Sequence, residues 1–147
     1  MKAVHIVISL SIALLSPLAT ANEEAGKHKG QQLFKTHCSS CHGTQGGMDM
    51  SKRVAPPISA VRLHYIGSYP DEMSFVDAIA NWVEKPDLNN TFMRGAIRRF
   101  NIMPPINISR TDAETIAAYI YDGDIENPAG FKEHVKQRHG KLEKQEK

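Results

Sequence analysis

The chain has 147 residues, with 18 Lys or Arg against 16 Asp or Glu, 41% hydrophobic residues and two cysteines. A formal net charge of +2 leaves no basic footprint for nucleic acid, and this length suits one compact domain rather than two. Two cysteines also exclude a disulfide-rich framework.

Met1 to Ala21 has the form of a secretory signal. Lys2 supplies a short positive start, Ala3 to Leu15 is almost wholly apolar, and Pro17 with Ala19-Thr20-Ala21 offers a small-residue cleavage site. A permanent anchor needs about 20 unbroken apolar residues, and this run is shorter. Cleavage is therefore expected before Asn22, delivering the protein to the periplasm with no stable membrane insertion afterwards. Removal of 21 residues leaves 126, carrying 17 basic and 16 acidic side chains. The expected division is a signal over 1–21, a folded domain over 22–130 and a charged tail over 131–147.

The residues ahead of Cys38 read as a helix, with Gly30, Phe34 and Cys38 on one face at i, i+4 spacing. Then comes Cys38-Ser39-Ser40-Cys41-His42, which contains both cysteines. A disulfide here would close a very short loop and restrict the unfolded chain little. A thioredoxin-like site belongs after a strand, and zinc needs a second ligand pair that the sequence lacks. Two thiols one helical turn apart, each able to add to a vinyl group of one porphyrin edge, and an imidazole directly after them form the attachment signature of a c-type haem. One copy implies one haem, bound through Cys38 and Cys41 with His42 at the iron.

Further along, Val54-Ala55-Pro56-Pro57-Ile58 is a stiff loop. Pro70-Asp71-Glu72 opens a helix whose apolar positions, Met73, Phe75, Val76, Ile79, Trp82 and Val83, recur at helical spacing up to Lys85-Pro86. A shorter helix is expected over 91–100. Asn101-Ile102-Met103-Pro104-Pro105 is held extended by its prolines. Thr111 to Tyr121 forms a last core helix, capped by Ser109 or Thr111 and stopped by Gly123. Lys132 to Lys147 holds six basic and three acidic residues, and the tail from Phe131 has no sustained apolar face after Val135, as a solvated or frayed helix would, or alternatively a patch that docks a partner.

From the haem motif outward the chain resembles the small monohaem class I cytochromes c, over roughly residues 26–122 of the sequence. The resemblance implies an all-α fold, the cytochrome c fold, with three to five helices wrapped around one covalently attached haem. It implies a crossing of the first and last helices, with Gly30 and Phe34 against Tyr119 and Ile120. It implies Met103, 61 residues after His42, as the second axial ligand, with Met93 as the fallback and His64 as the rival. The Pro56 carbonyl, with Pro57 as the alternative, would fix the tautomer of His42, as a ligating imidazole requires. Trp82 and Arg53 are candidate contacts for the haem propionates, with Tyr65 and Arg62 behind them.

A haem iron with both axial positions filled exchanges single electrons and offers no open site to substrate. The expected function is thus an electron carrier or cytochrome subunit, not an independent enzyme. Its partners would be redox proteins, a donor dehydrogenase and an acceptor oxidase or cytochrome, and no nucleic acid. The alternative is a haem enzyme or gas sensor whose distal position is open or labile.

Overall fold

The computed structural model describes residues 18–139, so most of the expected signal and the end of the charged tail, 140–147, lie outside the described residues. Among the described residues the protein is all-helical, with seven helices and no strand. They are α1 (Leu18–His37), α2 (Ser39–His42), α3 (Ile58–Ile66), α4 (Glu72–Glu84), α5 (Arg94–Phe100), α6 (Arg110–Asp122) and α7 (Phe131–His139), with a 3-10 turn at Met50–Lys52. The count exceeds three to five because α2 is a single turn and α7 lies in the tail. None of these helices is long and apolar enough to cross a membrane.

Local chemistry sets the helix ends. Asp71 caps α4 by accepting from the Ser74 amide at 3.0 Å, and Glu72 adds negative charge to the first turn, where the helix dipole favours it. Of the two candidate caps for α6, Ser109 acts: its Oγ accepts from the Asp112 amide at 3.1 Å. Gly123, at φ 80°, ends α6 in the left-handed conformation that glycine adopts without penalty. The helix expected over 91–100 is confined to Arg94–Phe100, because Thr91 Oγ1 accepts from the Met93 amide in a tight turn ahead of it.

α6 is the hub against which α1, α3 and α4 pack. Its inward face, Ala113, Ile116, Ala117, Tyr119 and Ile120, is buried and meets Phe34 of α1, Ile58 and Tyr65 of α3, and Phe75 and Ile79 of α4. Gly30 sits at the α1–α6 crossing, where a Cβ would lie 2.6 Å from Tyr119 Cβ and 2.7 Å from the Thr115 carbonyl oxygen. Phe34 packs beside it on Tyr119, with ring centroids 5.9 Å apart. This crossing brings the end of α1, and with it Cys38, to a defined place on the core.

Polar groups clamp the remaining contacts. Arg110 reaches from α6 to Asp77, Asn81 and Glu84 of α4, and also binds Glu114 on its own helix. These pairs are exposed and individually weak, but a planar guanidinium with several fixed partners sets the register of the two helices. Arg62 of α3 donates to the Tyr121 carbonyl at 3.1 and 3.2 Å, placing a cation at the C-terminal end of α6. Val135 of α7 is buried, as is Pro128 before it.

Candidate metal centre

The haem motif is built as a continuation of α1. The Cys38 amide donates to the Phe34 carbonyl at 2.9 Å, and the His42 amide donates to the Cys38 carbonyl at 2.8 Å. The chain thus turns once more, and Cys38, Cys41 and His42 share that turn. Both cysteines are free thiols. Cys38 is pushed up to about 11, first by burial and then by the neighbouring Cys41. A disulfide oxidoreductase depends on a depressed thiol pKa, so this turn has the opposite electrostatics.

His42 is the best-defined group in the site. Its Nδ1 lies 2.8 Å from the Pro56 carbonyl oxygen, and a carbonyl only accepts, so Nδ1 carries the proton and donates. The neutral ring then presents an unprotonated Nε2 with its lone pair available, the form in which imidazole binds a metal. Burial holds the imidazolium form down, and the nearby Arg53 cation acts in the same direction, while the bond to Pro56 opposes them. Pro56 is the partner rather than Pro57, which instead starts α3, its carbonyl accepting from the Ala60 and Val61 amides.

Arg53 departs from the sequence expectation. It is assigned there to a propionate, but its guanidinium is buried and directed at the backbone. Nε donates to the Ala55 carbonyl at 3.2 Å, Nη1 to Gln45 at 2.6 Å and Gly47 at 3.1 Å, and Nη2 to Gly43 at 2.5 Å. Four backbone acceptors take up the fork, and this loop-binding role is what sequence reasoning missed. The one signal was an arginine three residues ahead of the proline pair, the only guanidinium in the loop from Gly43 to Ala55. Arg62 is likewise engaged, on the end of α6. Trp82 is half-buried on α4, outside the His42–Pro56 bond and the carbonyls held by Arg53. Met103 is half-buried in the extended stretch between α5 and α6, and it too lies outside both.

The donor set fits a c-type haem. Two free thiols and a correctly tautomerised imidazole share one turn, at positions 38, 41 and 42, and among the described residues no group of three or more His, Cys, Asp or Glu forms an alternative metal cage. Among the described residues one buried side-chain atom has no hydrogen-bond partner, Ser59 Oγ, three residues after Pro56 on α3. An orphan of this kind costs about 1–3 kcal/mol and is eased where a bound group brings a polar edge.

Comparisons agree with this chemistry. The family model described as Cytochrome c matches residues 28–123. A protein of Aquifex aeolicus (strain VF5), described as uncharacterized, is 26% identical over 149 aligned positions covering 90% of this chain and 95% of that protein. No solved structure matches.

Proposed function

The chain belongs to the cytochrome c family and carries covalently bound haem c; on that premise we propose that it is an exported, monohaem, His/Met-ligated electron carrier or cytochrome subunit. In this reading Cys38 and Cys41 would form the two thioethers, His42 Nε2 and Met103 Sδ would bind the iron, and the cleaved signal would direct the protein to the periplasm. The observation that carries it is the 2.8 Å bond from His42 Nδ1 to the Pro56 carbonyl, which readies Nε2 one residue after the second free thiol.

Bound haem c supplies reversible one-electron exchange between Fe(III) and Fe(II). The protein's part is to tune and protect that exchange. Pro56 holds the proximal imidazole in orientation and raises its basicity through the shared proton. Met103 contributes a soft thioether, which raises the reduction potential relative to two nitrogen donors. Pro104 and Pro105 keep its segment extended and stiff. With His42 and Met103 both bound, the iron would offer no site to a substrate, and catalysis would belong to the partners.

The surface beside Met103 supports a charged docking partner. Leu88, Phe92 and Ile102 are exposed apolar side chains, and between them α5 displays Arg94, Arg98 and Arg99 on the surface. Asp87, the one acid from Pro86 to Ser109, is turned onto Asn89 and Asn90. Exposed apolar side chains and cations along this one stretch of chain suit an acidic redox protein in a small, short-lived contact.

The test is spectroscopic. Produced in a host that attaches haem to exported proteins, the mature chain should be red and keep its haem under denaturing extraction, and should show the weak red band of Met sulfur bound to Fe(III). Met103→Ala should abolish that band and lower the midpoint potential. A colourless protein, a Met103→Ala variant identical to wild type, or rapid carbon monoxide binding by the reduced protein would overturn the reading, the last in favour of an enzyme or gas sensor.

A further inference from the structure

The stretch between the haem motif and Pro56 contains no regular structure except one 3-10 turn, yet it must hold a carbonyl against His42 to within a few tenths of an ångström. Besides its own backbone turns and the Asp49 cap on Ser51, the loop is tied together by Arg53. The two ends of the loop are Gly43, which directly follows His42, and Ala55, which directly precedes Pro56. One guanidinium binds both carbonyls, through Nη2 and Nε respectively, and gathers Gln45 and Gly47 between them through Nη1. Gly46 turns around the same side chain: its φ is +80°, and a Cβ there would lie 3.3 Å from Arg53 Cγ.

Loop carbonyls outside regular structure need donors, and a guanidinium offers five N–H groups in a rigid plane. Linking the neighbour of His42 to the neighbour of Pro56 through that plane fixes the separation of the pair themselves. Resting on the haem reading above, we propose that Arg53 is the positioning residue of the proximal side, setting the His42–Pro56 hydrogen bond and through it the reduction potential of the iron. A bond held short makes His42 a more basic ligand and favours Fe(III); a loosened bond shifts the balance toward Fe(II). The arginine's charge acts in the other direction, because a buried cation favours Fe(II). The two effects can therefore be separated by a substitution that keeps the charge and removes the fork.

Arg53→Lys is that substitution. One ammonium cannot span four carbonyls arranged around a plane. We expect the His42 Nδ1 proton, observed by NMR in the reduced protein, to exchange with solvent at least about tenfold faster than in wild type, the lower end of what such outer partners contribute at metal sites. The midpoint potential should rise, by about 59 mV for a tenfold shift in the Fe(III)/Fe(II) ratio. Arg53→Met, which also removes the charge, should show the same loss of protection with a smaller rise or a fall. A lysine variant with wild-type exchange and midpoint overturns the proposal.

Wild-type protein gives a second reading that needs no variant to fold: the Arg53 guanidinium protons and the His42 Nδ1 proton should exchange through one common opening. Independent exchange, with His42 opening about a hundredfold more often than the loop, overturns the proposal as well. The two readings fail separately. A wild type with the Met103 band and an indifferent Arg53→Lys variant removes this inference and leaves the electron carrier standing, whereas a wild type without His42-ligated haem removes both.

Discussion

Replacing Gly30 by alanine tests how closely α1 and α6 approach. A Cβ at position 30 would stand 2.6 Å from Tyr119 Cβ and 2.7 Å from the Thr115 carbonyl oxygen. Both are anchored to backbone and cannot swing away. Carbon atoms prefer about 3.5–4.0 Å, so the helices must separate by about 1 Å, loosening Phe34 on Tyr119 and the apolar face of α6 behind it. Overpacking of this kind costs about 1–3 kcal/mol, after the gain of about 1 kcal/mol that alanine brings to a helix over glycine has been offset. At about 3–5 °C per kcal/mol for a domain of this size, the Tm should fall by about 3–15 °C. Gly26 lies one turn earlier on the same helix with nothing within 4 Å of its Cβ position, so Gly26→Ala should hold or raise the Tm. Thermal unfolding of the two variants, followed by circular dichroism on the same preparation, gives the comparison. A Gly30→Ala protein as stable as Gly26→Ala would show that the crossing is not close-packed.

The protein freed of haem should weaken in alkali: its Cys38 titrates at about 11 against 9.0 for an ordinary thiol, so the unfolded chain ionises first and about 2–3 kcal/mol is lost as pH rises from 9 to 11. Tyr65, raised to about 12 by burial and then by Tyr69, adds a loss above pH 10 to both forms. Haem-bound protein has no Cys38 thiol to ionise, and urea midpoints that fell equally in the two forms between pH 9 and 10 would refute the assignment. Asn101 takes φ 64° and ψ −179°, a region that costs residues other than glycine about 1–3 kcal/mol. Asn101→Gly should therefore stabilise by about 1 kcal/mol after the extra freedom of the unfolded chain is subtracted, and an unchanged or lower urea midpoint counts against that strain. Electron transfer to an acidic redox protein should slow as salt is added, and reversing Arg94, Arg98 and Arg99 to glutamate should cut the low-salt rate by about tenfold or more. Stopped-flow rates that do not change with salt would remove the charged docking face.

Elements governed by near neighbours could be read from the linear chain. Asp71 ahead of Ser74, Ser109 ahead of Asp112 and Gly123 after Asp122 are contacts within one turn, so α4 and α6 begin and end close to where spacing places them. The two thiols and the imidazole of the haem motif are similarly local, their chemistry depending on a single turn of backbone. The α1–α6 crossing at Gly30 and Phe34 was expected from the resemblance to class I cytochromes c rather than from spacing, and the structure has it there.

Folding alone decided the rest, wherever a side chain answers to backbone from elsewhere. Charge and position made Arg53 and Arg62 look like partners for an anion, but one gathers four loop carbonyls and the other covers the end of α6. Arg110 takes its acceptors from a helix about 30 residues away. Nothing in residue type or periodicity encodes such choices, because an exposed arginine and one wrapped in carbonyls are the same letter. Which carbonyls remain without amide partners, and so draw in a guanidinium, is known only once the helices have taken their own bonds and the loops have closed around what is left.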